Sequence, residues 1–165
     1  MKTDTEIIME DRDENPVLIA QVKPGTSTTE EFDRFSRRFV KTGLPFGLYV
    51  DIEQIRLLSR GSIPLEKPLA TLRTVDVLRA YDPDFKAKEG PSLIPRIFHQ
   101  YVETLVEAWL RDLAYHWKSD EPPGKAVLSA TGLLERIQGG HDANPEVRLS
   151  KPEQRKDFLS ISKGA

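Results

Sequence analysis

Three consecutive stretches decide the fold: Thr3–Met9 (T-D-T-E-I-I-M), the charged run Glu10–Pro16 (E-D-R-D-E-N-P), and Val17–Lys23 (V-L-I-A-Q-V-K). Apolar runs on either side of a polar, proline-containing segment read as two antiparallel strands joined by a turn. Val17-Leu18-Ile19-Ala20 is apolar without alternation, which predicts a strand covered on both faces. A reversal around Arg12-Asp13 sets Asp4 opposite Gln21. Side chains alternate along a strand, so Gln21 and Lys23 share one face and Val22 points to the other. Register is therefore decisive, since a slip of one residue exchanges the two faces.

Downstream, Pro24-Gly25 closes the second strand. Thr26 to Thr29 offer hydroxyls for an N-cap, with Glu30 and Glu31 in the first turn, where the helix dipole favours acids. This helix is predicted to run to Thr42 and to stop at Gly43. Phe32, Phe35 and Phe39 form its buried stripe, while Arg34, Arg37, Arg38 and Lys41 fall on another face. Phe46–Val50 and Ile55–Leu58 read as two further strands. A loop over Arg60–Pro68 leads to a short helix at Val75–Ala80, capped by Thr74 and ended by Asp82-Pro83. The longest element is predicted from Pro95 to about Lys118, with Ile97, Phe98, Tyr101, Val102, Leu105, Val106, Trp109, Leu110 and Leu113 as its apolar face. After Pro122-Pro123-Gly124 the periodicity fades. One helix is expected at Val127–Ile137, and Gly139-Gly140 then opens a polar tail.

Together these elements predict an α/β protein: a mixed sheet of about four strands, flanked by helices, with a long C-terminal amphipathic helix. The expected organisation is a domain over residues 1–118 and a partly mobile C-terminal extension over 119–165. With 165 residues, 38% hydrophobic and 30% charged, the chain has the composition of an ordinary globular protein. It contains no cysteine, which excludes disulfides and thiolate chemistry. No apolar run reaches the roughly 18 residues of a membrane span, and the N-terminus lacks a secretory plan, so the expected location is cytoplasmic. The formal net charge of −2 gives no global attraction to nucleic acid, so a DNA contact needs a local patch. The stripe Arg34, Arg37, Arg38 and Lys41 is the candidate; charged helix faces are also commonly just solvated.

The order β-β-α-β-β-α-α, with Asp4 on the first strand and Gln21-Val22-Lys23 ending the second, resembles the core of the PD-(D/E)XK nuclease superfamily. The resemblance covers residues 2–58. Glutamine in place of the acid resembles the Mrr-type branch. The helix segment Trp109-Leu110-Arg111-Asp112-Leu113-Ala114 resembles that of small stand-alone bacterial proteins of the superfamily. The resemblance implies a restriction-endonuclease-like fold and Mg²⁺- or Mn²⁺-dependent hydrolysis of DNA. Asp4, Gln21 and Lys23 would be the catalytic set, and Asp4, the Gln21 side-chain oxygen and the Val22 carbonyl the metal ligands. Mg²⁺ takes hard oxygen donors, neutralises phosphate charge and activates water, and Lys23 would orient that water or stabilise the phosphate.

Two elements common in the superfamily do not appear in the sequence. Only three residues precede Asp4, so a helix ahead of the first strand is expected to be absent or supplied by another subunit. The helix after Lys23 carries no Gln-x-x-x-Tyr pair. A neutral Gln21 leaves Asp4 as the one carboxylate of the set unless Glu6 or Asp11 helps. The other reading is a catalytically inactive interaction module of the same fold. It would assemble as a homodimer, or with a partner subunit, through the long helix. On that helix Asp112 and His116 have the spacing of a metal pair, but with His99 they are read as helix surface. No nucleotide-binding or serine-hydrolase motif occurs.

Overall fold

Residues 5–23, 25–61, 67–85 and 95–143 are described by a computed structural model. Asp4 and residues 144–165 lie outside them. The first hairpin pairs β1 (Thr5–Glu10) with β2 (Pro16–Val22). Its turn is tied by Asp11, whose Oδ1 accepts the amides of Asp13 and Asn15 at 2.9 Å, while Glu14 takes a left-handed φ of 66°. This anchoring moves the reversal towards the C-terminus of Arg12-Asp13. Gln21 consequently faces Glu6, where the sequence had suggested Asp4. The slip is by an even number of residues, so the faces are kept.

The chain then forms α1 (Thr29–Thr42), β3 (Phe46–Val50), β4 (Gln54–Ser59), β5 (Ala70–Arg73) and α2 (Thr74–Leu78). After these come α3 (Pro95–Tyr115), α4 (Lys125–Ala130), α5 (Leu133–Ile137) and β6 (His141–Ala143). Helix α1 begins with a reciprocal capping box between Thr28 and Glu31 and ends at Gly43, whose φ of 74° closes it at no steric cost. The sheet is mixed, in the order β5-β4-β3-β2-β1-β6, with β2 and β3 parallel and the other pairs antiparallel.

Among the described residues the sheet has six strands where about four were expected. Both additions are short edge strands with little periodicity of their own: β5 follows the loop and β6 comes from the presumed tail. Thr74 does not cap α2; its hydroxyl donates to the Asp51 carbonyl at 2.7 Å. The helix expected at 127–137 is two, separated at Thr131-Gly132.

Helix α1 covers one face of the sheet through Phe32, Phe35 and Phe39, packed with Ile8, Ile19 and Tyr49. The other face carries the larger core, in which Leu18, Ala20, Val22, Leu48 and Val50 meet Val102, Val106, Trp109 and Leu113 of α3. Hence β2 is buried on both sides, as its unbroken apolar run predicts. Leu128, Leu133 and Ile137 belong to this same core, so it does not stop at residue 118.

Strand β6 is pinned by Asp142, whose carboxylate accepts two hydrogen bonds at 3.1 Å from Arg111 of α3. Arg111 holds the Asp142 carboxyl below the usual aspartate range. A depressed pKa contributes stability above the unfolded-state value, and that stability disappears as pH falls through the folded-state value. Unfolding midpoints are thus expected to drop below about pH 4, and to drop less in Asp142→Asn, when thermal scans of the two proteins are compared.

Candidate active site at the end of the hairpin

Gln21 and Lys23 project from the end of β2 towards α1, as their spacing predicts. Between them, Val22 points its side chain into the core on the α3 side. Asp4, the expected carboxylate, lies outside the described residues; its neighbour Thr5 pairs with Val22.

The surroundings of these residues are rich in charge. The Lys23 ammonium is 2.5 Å from the Glu31 carboxylate, which it holds below the ordinary glutamate range. Glu31 also accepts the Thr28 amide at 2.9 Å, so one side chain caps α1 and neutralises Lys23. Opposite Gln21, Glu6 receives the Arg38 guanidinium through both oxygens, with Nη2 at 2.6 Å and Nε closer still. Such fork-to-fork geometry is the strong form of the pair, and the Glu6 contact raises the Arg38 pKa. Beside Gln21 on β3 stands Tyr49. The Arg56 guanidinium lies over the Phe32 ring at 4.2 Å and near Tyr49, donating to Ser27 at 2.9 Å and to buried Asp51 at 3.3 Å. Asp51 accepts the Glu53 and Gln54 amides as well, so it organises the β3–β4 turn. On the opposite side, Nε2 of His99 is 3.1 Å from the Val22 carbonyl oxygen.

The donors gathered at this strand end are oxygens: the Gln21 amide, the Val22 carbonyl and the Glu6 carboxylate. Oxygen is the ligand type that Mg²⁺ takes. The Val22 carbonyl meets His99 and belongs to a residue paired with Thr5 across the hairpin, so it is engaged within the fold. The set matches a hard divalent ion in donor type alone: both Glu6 oxygens are taken by Arg38, so Asp4 would have to supply the charge. Among the described residues, no group of three or more His, Cys, Asp or Glu side chains is arranged to hold a metal.

Of the basic stripe, Arg34, Arg37 and Lys41 are exposed with no ion-pair partner among the described residues, whereas Arg38 is committed to Glu6. Asp112 and His116 do not form a metal pair. The buried Asp112 carboxylate accepts from Tyr81 and from the Lys118 and Ser119 amides, and His116 Nδ1 lies 3.2 Å from the Ser119 carbonyl. Glu107 and Arg111, one helix turn apart, pair at 3.4 Å.

Sequence reasoning missed the roles of Glu31, Arg56 and His99 here. For Glu31 a signal existed: the N3 acid of a capping box, eight residues after Lys23, sits at the helix start beside the strand end that the chain has just left. His99 carries no such local sign.

Comparison with protein-family models, with curated proteins and with solved structures found no match. No helix among the described residues is long and apolar enough to cross a membrane.

Proposed function

We propose that this protein is a divalent-metal-dependent DNA endonuclease of restriction-endonuclease-like fold, acting on phosphodiester bonds in the cytoplasm. One observation carries the reading: Gln21 and Lys23 emerge on one face at the end of a strand buried on both sides, with Glu6 directly across the hairpin. The β-β-α-β-β order over residues 5–59 agrees with the resemblance. Gln21 and the Val22 carbonyl, with Asp4 as the expected carboxylate, would hold Mg²⁺ or Mn²⁺. When bound, that ion neutralises phosphate charge and lowers the pKa of a water. Lys23 would hold the attacking water or the phosphate, a role that requires it to exchange Glu31 for substrate. Arg34, Arg37 and Lys41 would grip the DNA backbone without reading its sequence, and Arg38 would keep Glu6 in place.

The test is cleavage of supercoiled, linear, single-stranded and branched DNA with Mg²⁺ or Mn²⁺. Metal-dependent cutting is expected, with Lys23→Ala slower by about a hundredfold or more, the loss typical of removing one group that stabilises transition-state charge.

A second reading has its own support. Glu6, Lys23 and the Val22 carbonyl all have partners within the fold, as they would in a catalytically inactive interaction module of the same family. The apolar face of α3 that was expected to serve a homodimer is buried inside the chain at Val102, Val106 and Trp109. A second copy or a partner subunit would therefore meet the exposed Tyr115 and Trp117 at the end of α3. Absence of cutting by wild type and Lys23→Ala alike, across all substrates, would favour this reading.

A further inference from the structure

One carboxylate at the candidate site gives each of its oxygens a different task. Oε1 of Glu31 accepts the Thr28 amide at 2.9 Å and closes the capping box of α1, while Oε2 meets the Lys23 ammonium at 2.5 Å. We propose that Glu31 is an autoinhibitory carboxylate. It stands where a DNA phosphate would stand on Lys23, and the site engages DNA at Lys23 only by exchanging one anion for the other. The proposal rests on the nuclease reading for the nature of that anion, and it requires no bound metal.

Strands β2 and β3 are parallel, are joined through α1, and end their pairing together at Val22 and Val50. Ligands of α/β sheets are bound beyond such carboxyl ends of strands. Lys23 follows directly, its amide fixed on the Val50 carbonyl at 2.8 Å. Two other cations gathered here are firmly committed: Arg56 to Ser27 and the buried Asp51, Arg38 to both oxygens of Glu6. Releasing either strands a buried acid or breaks a fork. Lys23 differs, because its partner keeps a second bond. When the ammonium leaves Oε2, Oε1 still holds the Thr28 amide, so α1 keeps its cap. The pair also reaches solvent, with 16% of the Lys23 side chain and 27% of the Glu31 side chain exposed. A flexible four-carbon stem lets the ammonium swing to a phosphate without moving the strand. The exchange is neutral in charge, and this gives it a signature. A lysine that neutralises a phosphate of duplex DNA releases counterions, steepening the fall of log K with log salt by about 0.9 per contact. When that lysine comes from an internal carboxylate, the freed carboxylate takes up a cation and the effect cancels.

The experiment is fluorescence anisotropy of a short fluorescein-labelled DNA duplex of arbitrary sequence, titrated with the full chain in EDTA at several salt concentrations between about 50 and 200 mM. Wild type is compared with Glu31→Gln, Lys23→Ala and the double variant. Glutamine at this helix position preserves the capping box and removes the charge. Glu31→Met keeps the comparison available should the Gln variant fail to fold. We expect Glu31→Gln to bind about fivefold tighter at low salt, with a salt slope steeper by about 0.9, and the double variant to lose both changes. Binding by the charge-neutral variants alone, dependent on Lys23, supports the same role. Strength and slope in Glu31→Gln equal to those of wild type, or a tighter binding that survives Lys23→Ala, overturns the role of Glu31 and leaves the nuclease reading standing. No binding by any of these proteins also overturns that role, and the cleavage assay then decides the nuclease reading by itself.

Discussion

Asp112→Ala is expected to cost about 4 kcal/mol of stability, lowering the unfolding midpoint by roughly 12 °C. The carboxylate is fully buried at the end of α3. Its Oδ2 accepts the Tyr81 hydroxyl at 2.7 Å, and its Oδ1 accepts the Lys118 and Ser119 amides at 3.0 and 3.1 Å. These contacts turn the chain after α3, where His116 takes a φ of 53°, and fasten it to the segment after α2. They also hold the Tyr81 hydroxyl well above the ordinary tyrosine range, through burial first and the Asp112 hydrogen bond second. Alanine removes the acceptor and leaves three donors at a site with little water, and such orphaned donors carry the larger part of the cost. Asp112→Asn keeps one acceptor oxygen, so a loss of only about 1 kcal/mol is expected. Chemical denaturation of both variants checks the result. Equal, small losses would show that the turn is held by packing instead.

Gly140→Ala is the second large effect, about 3 kcal/mol. A Cβ built at residue 140 would lie 1.7 Å from the Glu10 carbonyl oxygen and 2.8 Å from its carbon, and backbone cannot yield as a side-chain tip can. Strand β6 would have to leave β1. With it would go the Asp142–Arg111 pair and the 3.1 Å contact between His141 and the buried Glu10 carboxylate. The expected readout is early loss of amide-exchange protection in residues 141–143, together with a lower unfolding midpoint. Gly61→Ala is the control, since a Cβ there meets only the Ser59 hydroxyl at 3.8 Å. Unchanged protection in Gly140→Ala would mean that the backbone accommodates the methyl group.

Both sites show what is missing from a linear reading. Asp112 and His116 have helix-neighbour spacing, which suggests a pair, yet the acid is saturated by Tyr81 from a distant segment and by amides beyond the helix end. Gly139-Gly140 looks like the start of a tail, yet Gly140, just before β6, packs against the Glu10 backbone of the first hairpin too tightly for a Cβ. The core likewise continues past residue 118: Leu128, Leu133 and Ile137 are spaced too irregularly to announce it, and packing with α3 supplies what periodicity does not.

What the sequence determined by itself is the set of strongly patterned elements. The unbroken run Val17–Ala20 specifies a strand buried on both sides. The hydroxyls of Thr26–Thr29, the acids Glu30 and Glu31 and then Gly43 mark the two ends of α1, and Phe32, Phe35 and Phe39 fix its inward face. Period-two alternation puts Gln21 and Lys23 on one side. These signals act between residues a few positions apart, where backbone geometry leaves little choice. Only the tertiary structure decided that Glu6 faces Gln21, that Glu31 takes Lys23, that His99 holds the Val22 carbonyl, and that two short edge strands complete the sheet. Each of those outcomes depends on turn conformation and on packing between distant elements. A single residue of turn geometry, such as the Asp11 anchor before Glu14, is enough to change which acid stands at the site.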